Sequence, residues 1–270
     1  LILAQPLFLT IAWCVWQPVD HYLKQKIMNR AQQLRSEYPD ATVIGITGSV
    51  GKTTTKELLA HVLANQHPPV HVNSDMGVAQ WLNKQLESES QTPDPSPQIL
   101  IVEMGAYRPG EIKLLCEITQ PTMGIITFIG SQHLALFGSQ AALCAAKGEL
   151  IAALPETGHG FLNGDNEMCA SLQKTAPCPV TIVGTGGTAD LEAFDIEETA
   201  NGIRFRADST NFDVPLHGTH NVTNILLVIA VAKQLGMGIA AIAKQLRSFT
   251  PPERTFAVRE EHGITILDDT

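Results

Sequence analysis

None of the five cysteines forms a CxxC pair, and an odd number of them makes no disulfide framework. Thiolate zinc sites are thereby excluded, and the main body reads as a protein of a reducing, cytosolic setting. Charge is sparse too. Only 17% of the 270 residues are charged, and 18 lysines and arginines face 27 aspartates and glutamates, a formal net charge of −9. That sign excludes a general nucleic-acid binder. No internal repeat is present, and no basic leader or small-residue cleavage site marks a secretory signal. With 44% apolar residues against 21 glycines and 16 prolines, the chain is neither disordered nor fibrous. Its length suits one large domain or two small ones with a real core.

The opening run LILAQPLFLTIAWCVW has sixteen residues and no charge, short of the ~20 that a membrane span needs. Trp13, Trp16 and Tyr22 sit where interfacial aromatics belong, and a basic cluster starts at Lys24. Residues 1–38 carry four basic side chains against two acidic ones, so the rest of the chain carries −11. The expectation is the inner end of a membrane helix with membrane contact through residues 1–19, then a basic connector to residue 38. A buried helix of a soluble fold is the alternative. Starting without Met and stopping just after a strand-like run, the sequence reads as a piece of a longer protein.

From Asp40 onward, short apolar runs alternate with helix-length amphipathic stretches. Strands are expected at Thr42–Thr47, residues 70–72, Ile99–Glu103 and residues 122–129. Helices are expected at residues 52–64, 77–86, from Pro109 onward, and over 139–154. Residues 87–98 read as a Pro/Ser-rich loop. This alternation implies crossover units and an α/β fold with a mostly parallel sheet. After Gly160 shorter strands follow at 161–163, 180–183, 193–197, 203–206 and 211–214. The last two form a hairpin, and the group implies a small antiparallel subregion. Apolar helices close the pattern at 220–235 and 238–247.

The most informative run is IGITGSVGKTTT, residues 44–55. A buried strand delivers a glycine-rich turn and a helix begins at Lys52, which aims backbone N–H groups and the positive helix end at a polyphosphate. Glycine lets the main chain curl around the anion. Lys52 offers a point charge to the terminal phosphates, and the Thr53 hydroxyl suits Mg²⁺. The standard phosphate loop has four residues between its first Gly and the Gly-Lys pair. Gly45 is one residue too far from Gly51 and Gly48 two too close, so this is a shortened variant. Glu103 ends a strand at the rim where ligands of open parallel sheets sit; it suits a metal ligand or a helix cap equally. His133 follows the next strand on that rim and, alone, reads as a surface loop residue. Together the two favour a Mg²⁺ site. Lys147, inside the apolar helix AALCAAKGELIAAL, reads from composition as a snorkelling surface lysine.

Six stretches together resemble the Mur ligases: TGSVGKTTTKE (47–57), EMGAYRPGEI (103–112), HLALFGSQAALCAAKGEL (133–150), GTHNVTN (218–224), PPERTF (251–256) and LDD (267–269). The nearest branch is the one that adds D-alanyl-D-alanine to a UDP-N-acetylmuramoyl tripeptide. The family's shortened phosphate loop matches the spacing above. The resemblance implies that residues 39–270 are the central ATP-binding domain of an ATP-dependent amide ligase. A carboxylate would be phosphorylated and the acyl phosphate attacked by an amine. It further implies that Gly48, Ser49, Val50, Gly51, Lys52, Thr53 and Thr54 cradle ATP. Thr53 and Glu103 would hold one Mg²⁺, with Glu103 and His133 contributing to a second. Lys147 would be the lysine that CO₂ converts to a carbamate ligand, which reverses the reading from composition. Asn221 and Asn224 would lie against adenine, Arg254 would reach the phosphates, and Asp269 would accept from the ribose hydroxyls. Asn73 and Ser74 match the substrate loop only in part.

The resemblance includes neither the family's UDP-binding domain nor its C-terminal ligase domain. The implied partners are a small-molecule or lipid-linked cell-wall precursor and an amino acid or dipeptide, in the cytoplasm and tethered to the membrane. The alternatives are a non-ligating membrane-tethered nucleotide module, or a folylpolyglutamate synthetase-like or cyanophycin synthetase-like ligase. The run EMGAYRPGEI argues against the last two.

Overall fold

The computed structural model describes residues 5–64, 72–89, 99–130, 134–251, 257–261 and 264–268. A long helix α1 (Gln5–Glu37) is followed by β1 (Thr42–Thr47), α2 (Lys52–Leu63), α3 (Asp75–Glu89), β2 (Ile99–Glu103), α4 (Glu111–Thr119) and β3 (Met123–Ile126). Next come α5 (Leu134–Phe137), α6 (Gln140–Ala152), β4 (His159–Asn163), α7 (Glu167–Ser171), β5 (Val180–Gly184) and β6 (Leu191–Glu192). The remainder is β7 (Phe194–Thr199), β8 (Gly202–Ala207), β9 (Thr210–Val214), α8 (Asn221–Gln234), α9 (Ile239–Arg247), β10 (Ala257–Glu261) and β11 (Ile264–Asp268).

Six strands form one sheet in the order β2-β1-β3-β4-β5-β6, and every neighbouring pair is parallel. Strand residues alternate between two cores. Ile44, Ile46, Ile101, Ile125 and Phe161 face α2, α8, α9 and the antiparallel strands. Val43, Leu100, Val102, Ile126 and Leu162 face α1, α3, α4 and α6. A strand covered on both faces needs a near-continuous apolar run, and TVIGIT and ILIVE supply one, with polar residues only at their ends. Gly45 is the exception with a reason: a Cβ there would meet Leu150 Cδ1 at 2.8 Å and Met104 Cε at 3.0 Å, so its absence lets α6 close on the sheet. The α/β fold with a mostly parallel sheet is therefore present, as is the antiparallel subregion, a three-stranded sheet of β7, β8 and β9. The expected hairpin is β8–β9, turned by Asp208 (φ 46°) and Ser209 (φ 59°), the left-handed pair of a tight two-residue turn.

Several boundaries differ from expectation. Pro109 lies in the turn before α4, whose N-cap is Gly110 in a left-handed conformation (φ 89°). The strand expected to run to residue 129 stops at Ile126, because residues 127–130 leave the sheet to bond the phosphate loop. The run 193–197 divides: Ala193 closes onto Gly184, and β7 joins the other sheet with a register shift between Phe194 and Glu197. The strand expected over 70–72 lies outside the described residues except Val72, which is not in a strand. Most of the loop expected over 87–98 likewise lies outside them, and residues 87–89 are helical.

Residues expected as a basic connector form the second half of α1. Met28, Ala31 and Leu34 are buried against α3 and α4. Arg35 is buried and donates to the carbonyls of Thr119 (3.1 Å), Ala41 (3.0 Å), Gln120 (3.4 Å) and Tyr38. The first half of α1 is different: Leu9, Trp13, Val15, Trp16, Tyr22 and Leu23 are exposed. Among the described residues no helix is long and apolar enough to cross a membrane.

Candidate nucleotide site

Parallel strands all end on one rim, and the chain leaves β1 there between β2 on one side and β3 on the other. Strand order reverses at this point, which opens a crevice for ligands. The turn Gly48–Ser49–Val50–Gly51 fills its mouth. Ser49 N–H donates to the Phe128 carbonyl (2.7 Å), Gly130 N–H donates to Ser49 Oγ (3.2 Å), and the Thr127 hydroxyl donates to the Val50 carbonyl (2.6 Å). A Cβ on Gly48 would strike Thr127 Oγ1, and one on Gly51 (φ 82°) would meet Asn224 Oδ1 at 2.6 Å. Both glycines are thus required by close approach. Gly51 caps α2 without a side-chain bond, which leaves first-turn N–H groups facing the crevice.

Lys52 Nζ donates to the carbonyls of Gly48 (2.9 Å) and Ser49 (3.2 Å). Burial pulls its ammonium below the ordinary lysine range, against the pull of Glu103. Thr54 is half-buried in the same first turn. Thr53 Oγ1 donates to both carboxylate oxygens of Glu103, at 3.3 and 3.2 Å, and Glu103 is only 2% exposed. A buried carboxylate touching a hydroxyl beside a phosphate-type loop is a pair of hard oxygen donors, the kind Mg²⁺ takes. The donor chemistry fits the ion. Among the described residues no three His, Cys, Asp or Glu side chains gather.

Lys147 is 3% exposed, so the snorkelling alternative is wrong. Burial, then the charge of Lys52, lowers its pKa from 10.5 to about 8, against Glu111 and Glu149. A lysine in that state presents a nucleophilic amine near neutral pH, which fits a carbamate. Both acids are fixed by backbone bonds: Glu149 accepts from Gly110 N–H (2.7 Å) and Lys113 N–H (2.9 Å), and Glu111 accepts from Tyr107 and Arg108 N–H.

Asn221 and Asn224 are buried on the first turn of α8. Their amides bond one another (2.9 Å), Asn221 donates to the His217 carbonyl, and Asn224 lies against Gly51. Asn73 and Ser74 lead into α3; the Asn73 carbonyl accepts from Gly105 N–H, and both residues line a cavity of about 110 Å³ with Tyr107 and Glu111. His133, Arg254 and Asp269 lie outside the described residues. A larger cavity, about 570 Å³, is lined by Arg35, Lys113, Cys116 and Pro155 and includes no residue of the loop. Thr127 and Lys56 were missed from the sequence. Lys56 is fully buried, 3.3 Å from Glu103; a lysine on the stripe of Leu59, Ala60 and Leu63 was its available signal.

This fold and rim define a nucleotide-binding α/β domain with its phosphate loop at the switch point of a parallel sheet. The Mur ligase middle domain matches residues 46–232, and the chain belongs to the Mur ligase family. The UDP-N-acetylmuramoyl-tripeptide–D-alanyl-D-alanine ligase of Synechocystis is 36% identical over 232 residues, covering 84% of this chain and 48% of that protein. MurF of Acinetobacter baumannii superposes with a TM-score of 0.82 at 26% identity, over 92% of this chain and 54% of that one. MurF ligase of Thermotoga maritima, solved in complex with ADP, gives 0.77 at 27% identity over 92% and 57%. The chain spans about half the length of these relatives.

Proposed function

We propose that this chain is the nucleotide-binding part of an ATP-dependent amide ligase of cell-wall precursor synthesis. It would activate a carboxylate as an acyl phosphate for attack by an amine, releasing ADP and phosphate. The observation that carries this reading is one rim joining the phosphate-loop turn, the Thr53–Glu103 pair and the depressed Lys147 amine. The relatives' names suggest a UDP-N-acetylmuramoyl tripeptide as acceptor and D-alanyl-D-alanine as amine donor. In this division residues 1–38 are the membrane-proximal segment and residues 39–270 the central domain, with the C-terminal ligase domain supplied by further sequence.

A carboxylate is a poor electrophile, and it must meet an anionic γ-phosphate. The N–H groups of residues 48–54 hold the triphosphate against the end of α2. Lys52 exchanges its two loop carbonyls for β/γ oxygens. Thr53 and Glu103 would hold one Mg²⁺; Glu103, His133 and Lys147 as its carbamate would contribute to a second. When bound, these ions neutralise the phosphate charge that repels the incoming carboxylate. Glu111, at the start of α4, and Glu149, two residues beyond Lys147 on α6, set negative charge around that amine. Asn221 and Asn224 would border the adenine, Arg254 would serve the phosphates and Asp269 the ribose, and Asn73 and Ser74 would face the acceptor. The decisive assay is ADP release by the full-length protein, expected only when both the tripeptide precursor and D-alanyl-D-alanine are present. Nucleotide binding without that double dependence identifies a non-ligating module.

The same reading places the domain in the cytoplasm at a membrane surface, where a lipid-linked precursor is a second acceptor. Its support is the exposed face of α1, with Trp13 63% and Trp16 61% accessible, followed by Lys24, Lys26 and Arg30. Co-sedimentation of the full-length protein with anionic vesicles, abolished by Trp13→Ser with Trp16→Ser, is the expected result. Equal sedimentation of both proteins refutes the contact.

A further inference from the structure

We propose that Lys56 is a positioning residue: its buried ammonium stands in for a divalent ion at Glu103 while the site is empty, and so weakens the hold on that ion when it arrives. The inference rests on the nucleotide-site reading above. Lys56 is 0% exposed and lies 3.3 Å from Glu103 Oε2 and 3.6 Å from Glu57 Oε1. Its Nζ makes no hydrogen bond of acceptable geometry, so the contact is charge against charge. Nothing in the packing calls for a cation here, since Leu58, Leu59, Ala60 and Val62 of the same helix are all buried and apolar. A methionine would fill the space without the desolvation cost of an ammonium. Charge is what Lys56 adds.

Glu103 is gripped from two sides. Thr53 takes it on the side of the phosphate loop, and Lys56 takes it from beneath, within the closed core. Because Lys56 is enclosed, an ion arriving by way of Thr53 cannot displace it. Two cations then share one carboxylate and repel each other across a poorly screened interior. Without Lys56, the empty site holds Glu103 without its ammonium neighbour, and a divalent ion relieves that charge. Metal binding to such a protein must therefore be tighter, and the metal-free protein less stable. The native arrangement keeps the empty site folded and lets an ion–nucleotide product leave.

The test uses full-length protein saturated with ADP, as wild type, Lys56→Met and Lys56→Gln. Free Mn²⁺ is followed by its paramagnetic resonance signal during titration, and thermal midpoints are recorded with and without Mg²⁺. Lys56→Met is expected to bind Mn²⁺ at least tenfold more tightly than wild type and to show a larger Mg²⁺-induced rise in midpoint. Lys56→Gln, whose amide still donates to Glu103, is expected to fall between them, and it carries the test if Lys56→Met does not fold. Unchanged or weakened Mn²⁺ affinity in a folded variant overturns the proposal. Failure of the wild type to take up Mn²⁺ with ADP overturns the nucleotide-site reading itself.

Discussion

Lys147→Met should flatten the alkaline stability profile of this domain. The wild-type amine has a pKa near 8 in the folded protein against 10.5 in the open chain. Below pH 8 both states carry the proton, and the folded state bears the full cost of burying it. Between 8 and 10.5 the folded state gives up its proton while the unfolded chain keeps it. The unfolded state binds more protons there, so stability rises with pH. At 1.36 kcal/mol per unit the full cost is about 3 kcal/mol, and roughly 2 kcal/mol of it is relieved between pH 7 and about 9.5.

Methionine matches the volume and carries no proton. Urea unfolding of both proteins at a series of pH values, in buffers freed of CO₂, gives two curves. They should lie furthest apart at neutral pH, with Lys147→Met the more stable, and converge on the alkaline side. Parallel curves would falsify the claim that this amine is held depressed by burial and by Lys52. Activity must move the opposite way: Lys147→Met should lose at least a hundredfold in ligation, and bicarbonate should raise the activity of CO₂-depleted wild type but not of the variant.

Three further substitutions probe the scaffold. Gly48→Ala, whose methyl collides with Thr127 Oγ1, should weaken ATP binding at least tenfold, about 1.4 kcal/mol, in a calorimetric titration, and lower the melting temperature as the clash displaces the buried Thr127. Arg35→Met leaves four carbonyls without their donor and should cost about 2–4 kcal/mol in urea unfolding; a loss under 1 kcal/mol would mean that α1 is not held by this residue. Ser209→Gly relieves a left-handed backbone at φ 59° and should raise stability by ~0.5–1 kcal/mol in the same assay.

Much of the sheet was legible because its chemistry is local. TVIGIT and ILIVE are apolar but for Thr42, Thr47 and the terminal Glu103, close to the pattern that short strands covered on both faces demand, and both strands fall at the expected residues. The phosphate-loop turn was legible because its glycines, lysine and threonines stand in one short run; the contacts of Thr127 and Asn224 that require Gly48 and Gly51 come from far along the chain. Where the prediction of elements failed, the cause was in two cases a partner distant in sequence. Residues 127–130 are apolar enough to extend β3, yet their backbone is taken by Thr47 and Ser49, about eighty positions earlier, and the Thr127 hydroxyl by Val50. Pro109 suits a first helical turn, but Gly110 in its left-handed conformation delays α4 to Glu111. The division after Ala193 depends on a register shift against β8 that no local pattern encodes.

The two buried lysines make the same point about sites. A lysine in an apolar helical stripe reads as a surface residue when only its own helix is considered, because the long stem can lift its charge to water. Lys147 and Lys56 do not do so: one is 3% and the other 0% exposed. Each is enclosed because the opposite face of its helix is also covered, by α4 and the sheet for α6 and by α8, α9 and the sheet for α2. Burying an ammonium costs several kcal/mol unless a charge answers it. Lys56 lies within ion-pair reach of Glu103 and Glu57. For Lys147, burial and then the charge of Lys52 outweigh Glu111 and Glu149 and lower its pKa to about 8. Two lysines of like burial thus differ in their surroundings: one stands against a carboxylate and serves position, the other is pulled toward an amine available for chemistry. Sequence shows that a lysine is out of place, and only the fold shows which of these two it is.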